Sequence, residues 1–316
     1  MKKILIPEDI AKIGKKYLTD RGYVLKTGCS TDEETLKREL ADADGLIVRN
    51  ARYEKSVFQN AKRLKVIARH GTGTDNIDVK AAEELGIWVV NGPTANINAV
   101  AEYTIAQIIS LSCGLVKSDG YTRKKDWTYR LSFKRYELAG CTLGIIGYGR
   151  IGKLVAEKAV GLGMKILAFD TKKESLNPAG VNVSDDLDEV LQASDYITLH
   201  IPSTNETRGM FNASMFKKMK EGSFFINNAR GDLYVQDDLI DAIKSGHLSG
   251  AALDVYQDEP LLDSRLFSMD QVILSQHNAG LSEESKDRMS LYAAMGVDQV
   301  LSGEVPKWPV NRPAVN

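Results

Sequence analysis

Glycines at 147, 149 and 152, with an aspartate at 170, are the residues whose spacing most directly implies chemistry. The run Leu143-Gly144-Ile145-Ile146-Gly147-Tyr148-Gly149-Arg150-Ile151-Gly152 contains G-x-G-x-x-G. An apolar strand leads in, an amphipathic helix follows, and a second strand ends at Asp170, eighteen residues after Gly152. That context turns a common glycine pattern into a dinucleotide-binding signal. Gly147 permits the tight turn, Gly149 lets the backbone approach a pyrophosphate at the helix N-terminus, and Gly152 allows helix and strand to pack closely. Asp170 is placed to bind the adenosine ribose hydroxyls and to repel a 2'-phosphate, which favours NAD over NADP. Lys172 and Lys173 follow closely and pull the other way.

Three later segments, Asn227-Asn228-Ala229-Arg230-Gly231, Asp254 to Pro260 and Ser275 to Gly280, each follow a predicted strand. Ligands in parallel α/β sheets bind at the carboxyl ends of strands, so chemistry is expected there. The strands that would carry this site are Thr142–Ile146, Lys165–Phe169, Tyr196–His200, Ser223–Asn227, Gly250–Leu253 and Val272–Leu274, a doubly wound sheet of about six. Helices Ile151–Leu162, Leu187–Ala193 and Val235–Ser245 alternate with them. A first α/β series precedes it, with strands Lys3–Ile6, Gly45–Arg49, Lys65–Arg69 and Ile87–Asn91 and helices Thr31–Ala41 and Asp78–Leu85. A long helix, Asn98–Val116, joins the two series, and Glu283–Leu301 is the last helix before a Pro-containing tail.

The 316 residues allow two domains of about 150 residues each. With 43% hydrophobic and 26% charged residues, the composition is that of a folded globular protein. A net charge of -1 gives no pull toward nucleic acid or anionic membrane. The greasy stretch Thr104–Val116 is too short to span a bilayer. The apolar run after Lys2-Lys3 is too short for a signal peptide. Three dispersed cysteines suit reduced thiols in the cytoplasm. Neither they nor the four histidines have metal-ligand spacing, so no metal is expected.

Beyond the glycine motif, the chain carries Gly45-Leu46-Ile47-Val48-Arg49, Arg69-His70-Gly71-Thr72-Gly73-Thr74-Asp75-Asn76-Ile77-Asp78, Val100-Ala101-Glu102 and Leu199-His200-Ile201-Pro202. Taken together, these motifs make the chain resemble the D-isomer-specific 2-hydroxyacid dehydrogenases over essentially its full length. The likeness is greatest to the phosphoglycerate dehydrogenase branch, without that branch's extra regulatory domains.

The resemblance implies two doubly wound parallel-sheet domains. A Rossmann-type cofactor domain, 98–283, is inserted into a discontinuous flavodoxin-like catalytic domain, 1–97 plus 284–316. It implies a catalytic set of Arg230, Glu259 and His277. Reducing a 2-keto acid needs a proton for the carbonyl oxygen, and a histidine titrates in the range to supply it. A carboxylate partner orients the imidazole and favours its charged form. An arginine fork matches the substrate carboxylate. By the same resemblance, Arg150, Ile151, His200, Pro202, Thr207, Ala229, Asp254 and Gly280 line the NAD site, with Asp254 on the nicotinamide carboxamide. Arg49, Arg69 and the nest Gly71-Thr72-Gly73 meet a small anionic keto or hydroxy acid. A homodimer would form through the cofactor domain, with Lys124–Leu138 (Trp127, Tyr129, Phe133) as its arm.

The implied reaction is reversible hydride transfer between NAD(H) and a small 2-keto/2-hydroxy acid pair, such as 3-phosphohydroxypyruvate/3-phosphoglycerate. Glyoxylate/hydroxypyruvate reduction uses the same set, and an NAD(H)-sensing, corepressor-like scaffold would keep it without turnover. Formate dehydrogenases of this superfamily carry glutamine as the histidine's partner, and Glu259 argues against them. Three positions depart from the family pattern: Ser275-Gln276 stands where Thr-Pro usually precedes the histidine, and Tyr136 and Cys141 replace a common glycine and lysine near the arm.

Overall fold

The structure, a computed structural model, describes residues 1–132, 134–171, 180–262 and 264–314. Phe133, Lys172 and Lys173, singled out above, lie outside the described residues. The chain divides into two compact units, one of Met1–Asn96 with Leu281–Asn316 and one of Ile97–Gly280.

In the first unit, strands β1 (Lys3–Ile6), β2 (Val24–Thr27), β3 (Gly45–Val48), β4 (Val66–Arg69) and β5 (Trp88–Val90) form a parallel sheet in the order β2-β1-β3-β4-β5. That is the flavodoxin-like doubly wound order. Alternate side chains serve two cores, as strand geometry requires. Leu5, Leu46 and Ile67 pack beneath Leu36 and Phe58. Ile4, Ile47 and Val66 pack against Ala293 and Val297 of the helix Glu283–Ser302. The strand β2 is absent from the sequence reading because Val24-Leu25-Lys26-Thr27 is a mostly exposed edge with no apolar run. The helix Lys12–Thr19 is absent too: its N-cap is Ala11 without a side-chain cap, and Gly14 interrupts it. Where a capping residue exists the reading is close, as at Asp32 before Glu33–Leu40 and Asp78 before Val79–Glu84.

In the second unit, strands β6 (Thr142–Ile146), β7 (Lys165–Phe169), β8 (Val181–Ser184), β9 (Tyr196–Leu199), β10 (Phe224–Asn227), β11 (Gly250–Leu253) and β12 (Val272–Leu274) are all parallel, in the order β12-β11-β10-β9-β6-β7-β8. This is the Rossmann order, reversing direction between β6 and β9, with one further strand at the far edge. The sheet has seven strands rather than about six; the additional β8 is an edge whose exposed Asn182 breaks the apolar pattern. The long helix expected over Asn98–Val116 is two, Ile97–Cys113 and Leu115–Arg123, broken at Gly114 with φ 61°. Among the described residues no single helix is long and apolar enough to cross a membrane.

The tail after Glu283–Ser302 closes the open edge of β5. Val310 N–H donates to Val89 O (2.8 Å), and the buried Asn311 side chain accepts from Val89 N (2.7 Å) and donates to Ile87 O (2.9 Å). The amide thus stands in for a neighbouring strand's peptide group. Substituting Asn311→Leu leaves a buried donor and acceptor unmet, and urea unfolding is expected to show a loss of about 2–4 kcal/mol. An exposed control such as Lys62→Ala should stay within about 0.5 kcal/mol.

Candidate active site

The β6–helix turn of the second unit has the geometry its glycines imply. Gly147 has φ 98°, and a Cβ there would lie 2.6 Å from His200 O. A Cβ on Gly152 would lie 2.2 Å from Gly147 O, so the helix Arg150–Val160 rises directly off the turn only with glycine at both positions. A Cβ on the exposed Gly149, by contrast, would meet nothing within 4 Å. The turn is therefore tight on its protein side and open at Gly149, where Arg150 and Ile151 begin the helix with its N–H groups and positive dipole end. Asp170 follows β7 and its carboxylate accepts Tyr148 N–H at 2.7 Å, which fixes it beside the turn. These features fit a dinucleotide: an anion cradle at Gly149 and a carboxylate at the second strand's end.

The next loop, after β9, brings His200, Pro202 and Thr207 together. His200 N–H continues the ladder onto Ile146 O (2.7 Å). Burial pushes its imidazole down to about 3, so the ring is neutral, with Nε2 3.2 Å from Thr198 Oγ1. Thr207 Oγ1 donates to Pro202 O (2.7 Å) and closes the loop on itself. Ser203 Oγ donates to Asp232 (2.6 Å), tying this loop to the one after β10.

Arg230, Glu259 and His277 come from the loops after β10, β11 and β12. Asn227 holds the first of these: its side chain accepts Ala229 N–H (3.0 Å) and donates to Arg230 O (2.8 Å), while Arg230 Nη1 donates to Ala229 O (2.7 Å). Gly231 then passes so close to the second loop that a Cβ would lie 1.9 Å from the Tyr256 carbonyl carbon. Only glycine permits this approach, which sets Arg230 beside the Asp254–Pro260 segment. In that segment Glu259 Oε1 accepts Tyr256 N–H (3.0 Å) and Glu259 Oε2 lies 2.7 Å from His277 Nδ1. Desolvation alone would raise the Glu259 pKa; the bonds from His277 and Tyr256 and the nearby Arg230 charge outweigh it and hold the carboxyl below its ordinary 4.5. His277 is 55% exposed and has φ 52°, a backbone region unusual for a side-chain-bearing residue.

Asp254 follows β11 directly, as the sequence placed it. Its carboxylate is only 1% exposed and accepts Ser275 Oγ (2.6 Å), Asn278 N (3.0 Å) and Ala279 N (2.8 Å). It binds the histidine loop, which closes at Gly280. Sequence reasoning gave no role to Asn227 or Tyr256. Both lay in segments it had marked, but nothing in their spacing shows that they brace a loop.

The first unit holds Arg49 and Arg69 at the ends of β3 and β4. Arg49 Nη1 donates to Asp9 O (2.8 Å), and the N–H groups of Arg49, Asn50 and Ala51 all point at Glu8 Oε2 (3.2, 2.9 and 3.2 Å). Arg69 Nε donates to Gly73 O (2.9 Å), and its Nη1 to His70 O. Gly71 O accepts Gly92 N–H (2.9 Å) and Thr72 O accepts Asn91 Nδ2 (2.6 Å). Every carbonyl from His70 to Gly73 is thus taken by a donor of this unit. His70 is buried and, chiefly through desolvation, falls to about 4; its Nε2 meets Ser290 Oγ at 2.9 Å. The bracing roles of Glu8, His70 and Ser290 are not legible in the sequence because their partners lie 41 or more residues away. Among the described residues no group of three or more His, Cys, Asp or Glu side chains could hold a metal ion.

A Rossmann sheet carrying an open glycine turn, with an imidazole–carboxylate pair and an arginine at its later strand ends, is the arrangement of a dinucleotide-binding protein. The family model of the D-isomer specific 2-hydroxyacid dehydrogenase NAD binding domain matches residues 105–279. The chain belongs to that family. It is 37% identical over its whole length to a D-3-phosphoglycerate dehydrogenase of Methanocaldococcus jannaschii, of which it covers 60%, so it spans about three-fifths of the curated relative's length. It is 33% identical to a glyoxylate reductase of Pyrococcus horikoshii, covering 99% of this chain and 97% of that one. A crystal structure from Thermus thermophilus superposes with a TM-score of 0.91 at 31% identity, covering 98% of this chain and all of the other.

The Glu259 carboxyl yields a pH prediction. Its folded pKa is depressed, so its contribution to stability is present above about pH 4.5, the ordinary value, and is lost as pH falls through the folded value. The stability gap between the wild type and Glu259→Gln should narrow as pH falls below about 4.5, read from urea midpoints. A gap that widens as pH falls below about 4.5 would contradict the assigned direction.

Proposed function

We propose that the chain is an NAD-dependent D-2-hydroxyacid dehydrogenase. The observation that carries this is the 2.7 Å contact between His277 Nδ1 and Glu259 Oε2, on the same unit and strand-end side as the Gly147–Gly152 turn. With Nδ1 held by Glu259, the imidazole offers Nε2 to the substrate, giving a proton to the carbonyl oxygen in reduction and taking one from the hydroxyl in oxidation. Glu259 orients the ring and stabilises the imidazolium. The Arg230 guanidinium anchors the substrate carboxylate and polarises the carbonyl beside it. Gly147, Gly149, Arg150, Ile151 and Gly152 would hold a dinucleotide pyrophosphate, Asp170 its adenosine ribose, and His200, Pro202, Thr207, Ala229, Asp254 and Gly280 the rest. When bound, the nicotinamide supplies the donor or acceptor of the hydride. The Asp170 carboxylate supports NAD over NADP.

Substrate choice rests on the first unit. We assign Arg49, Arg69 and the N–H groups of Gly71, Thr72 and Gly73 to the substrate's anionic groups. Phosphoglycerate oxidation follows if the arginines meet a phosphate. A second reading, reduction of unphosphorylated glyoxylate or hydroxypyruvate, is favoured by their existing engagement: both guanidiniums donate to carbonyls of their own unit, and Glu8 fills the nest after β3. We also assign a homodimer formed through the second unit and a cytoplasmic setting. Trp127 and Leu131 of the arm are 69% and 83% exposed, which suits an interface, whereas Tyr129 stacks on Tyr121 at 4.3 Å and packs locally.

The test is NADH oxidation with glyoxylate, hydroxypyruvate and 3-phosphohydroxypyruvate. Turnover with at least one is expected, and His277→Ala should lower kcat about 10³-fold while NADH binding stays within about twofold. Wild-type turnover by His277→Ala, or NADH binding without turnover of any keto acid, would refute the enzyme reading; the latter is the signature of a sensor. A phosphorylated substrate preferred over hydroxypyruvate would decide for the phosphoglycerate reaction.

A further inference from the structure

His277 must aim its imidazole, yet neither burial nor regular structure holds it. It is exposed, lies in a loop, and its φ of 52° costs a side-chain-bearing residue about 1–2 kcal/mol. Something outside the ring must enforce that conformation. The bonds around the residue converge on Asp254. Its backbone carbonyl accepts His277 N–H at 2.7 Å, and its carboxylate binds the residues on either side: Ser275 through the hydroxyl (2.6 Å), Asn278 and Ala279 through their N–H groups. Tyr256 adds a clamp, its hydroxyl 2.8 Å from Ser275 O. Burial pushes that phenol up to about 12, so it stays protonated.

We propose that Asp254 is the positioning residue for His277 and that the Ser275 hydroxyl is the contact through which it sets the loop's entry. The inference rests on the reading of His277 as the acid/base. A proline at 276 would restrict both its own φ and the conformation of residue 275. Gln276 imposes neither, so the approach to His277 is fixed by hydrogen bonding: Ser275 and Tyr256 before it, Asn278 and Ala279 after it. Losing the Ser275 hydroxyl leaves the entry held by the Tyr256 and Leu253 bonds to the Ser275 backbone and unties it from the Asp254 carboxylate, so the ring is misaimed without the fold being lost. Misplacing a reacting group by about 1 Å can cost up to about 10²-fold in rate.

The experiment is Ser275→Ala in the full chain, with kcat expressed per NADH-binding site titrated by fluorescence. That normalisation removes any unfolded fraction. We expect kcat per site to fall roughly 10- to 50-fold, with the keto-acid KM and the NADH Kd changed less than about threefold. Ser275→Thr, which keeps the hydroxyl, should restore kcat to within about threefold. Ser275→Ala with Gln276→Pro should recover at least about fivefold of the loss, the ring constraint replacing the hydrogen bond. Wild-type kcat per site in Ser275→Ala, with His277→Ala inactive, would overturn this proposal and leave the acid/base reading intact. If His277→Ala were also fully active, the underlying reading would have failed. An equal loss of NADH affinity and kcat would overturn it too, by showing that the Ser275 contact serves cofactor binding and not the aim of His277.

Discussion

An imidazole and a carboxylate 2.7 Å apart, contributed by adjacent strand ends, are the contact around which the second unit is organised. Parallel pairing makes it available: β10, β11 and β12 run side by side, so the loops after them emerge together at one end of the sheet. The Rossmann reversal between β6 and β9 opens a crevice at that same end, and the glycine turn after β6 borders it. Sheet order thus delivers four separate stretches of sequence to one place before any side chain acts.

Strand ends alone are too coarse to aim a proton donor. The finer placement comes from backbone approach and buried polar anchors. Gly231 lets one loop lie against the Tyr256 carbonyl, bringing the Arg230 charge near Glu259. Asn227 ends β10 and Asp254 directly follows β11; both are buried and bonded to the loops beyond. A buried carboxylate is tolerated because three donors satisfy it. The same groups that make burial affordable therefore transmit the rigidity of the sheet into exposed loops. The first unit applies the same device at Glu8, whose carboxylate is ringed by three successive N–H groups after β3.

Much of this was legible in the sequence where burial dictates residue type. Thr142–Ile146, Lys165–Phe169 and Gly250–Leu253 read as strands with the bounds they have, since inner parallel strands must be apolar, and the edge strand Val272–Leu274 read correctly from its continuous apolar run. The edge strands Val24–Thr27 and Val181–Ser184 did not, because half their surface faces water and their pattern is that of a loop. A long apolar helix was legible, but not its break at Gly114, since a glycine within a helical pattern is compatible with continuation. The glycine turn and the residues Arg230, Glu259 and His277 could be named in advance from motif order. Their bracing could not: Asp254 bonds 24 and 25 residues ahead, and His70 reaches Ser290 across 220 residues. Spacing in the chain carries no record of such contacts.

A double-substitution cycle on Glu259 and His277 tests the central contact most directly, read as kcat/KM for the best keto acid. If the carboxylate acts only through the imidazole, Glu259→Gln should cost roughly 10- to 100-fold in wild type and almost nothing once His277 is alanine, a coupling of at least about 1.4 kcal/mol. Equal losses in both backgrounds would show two independent groups and would contradict the account.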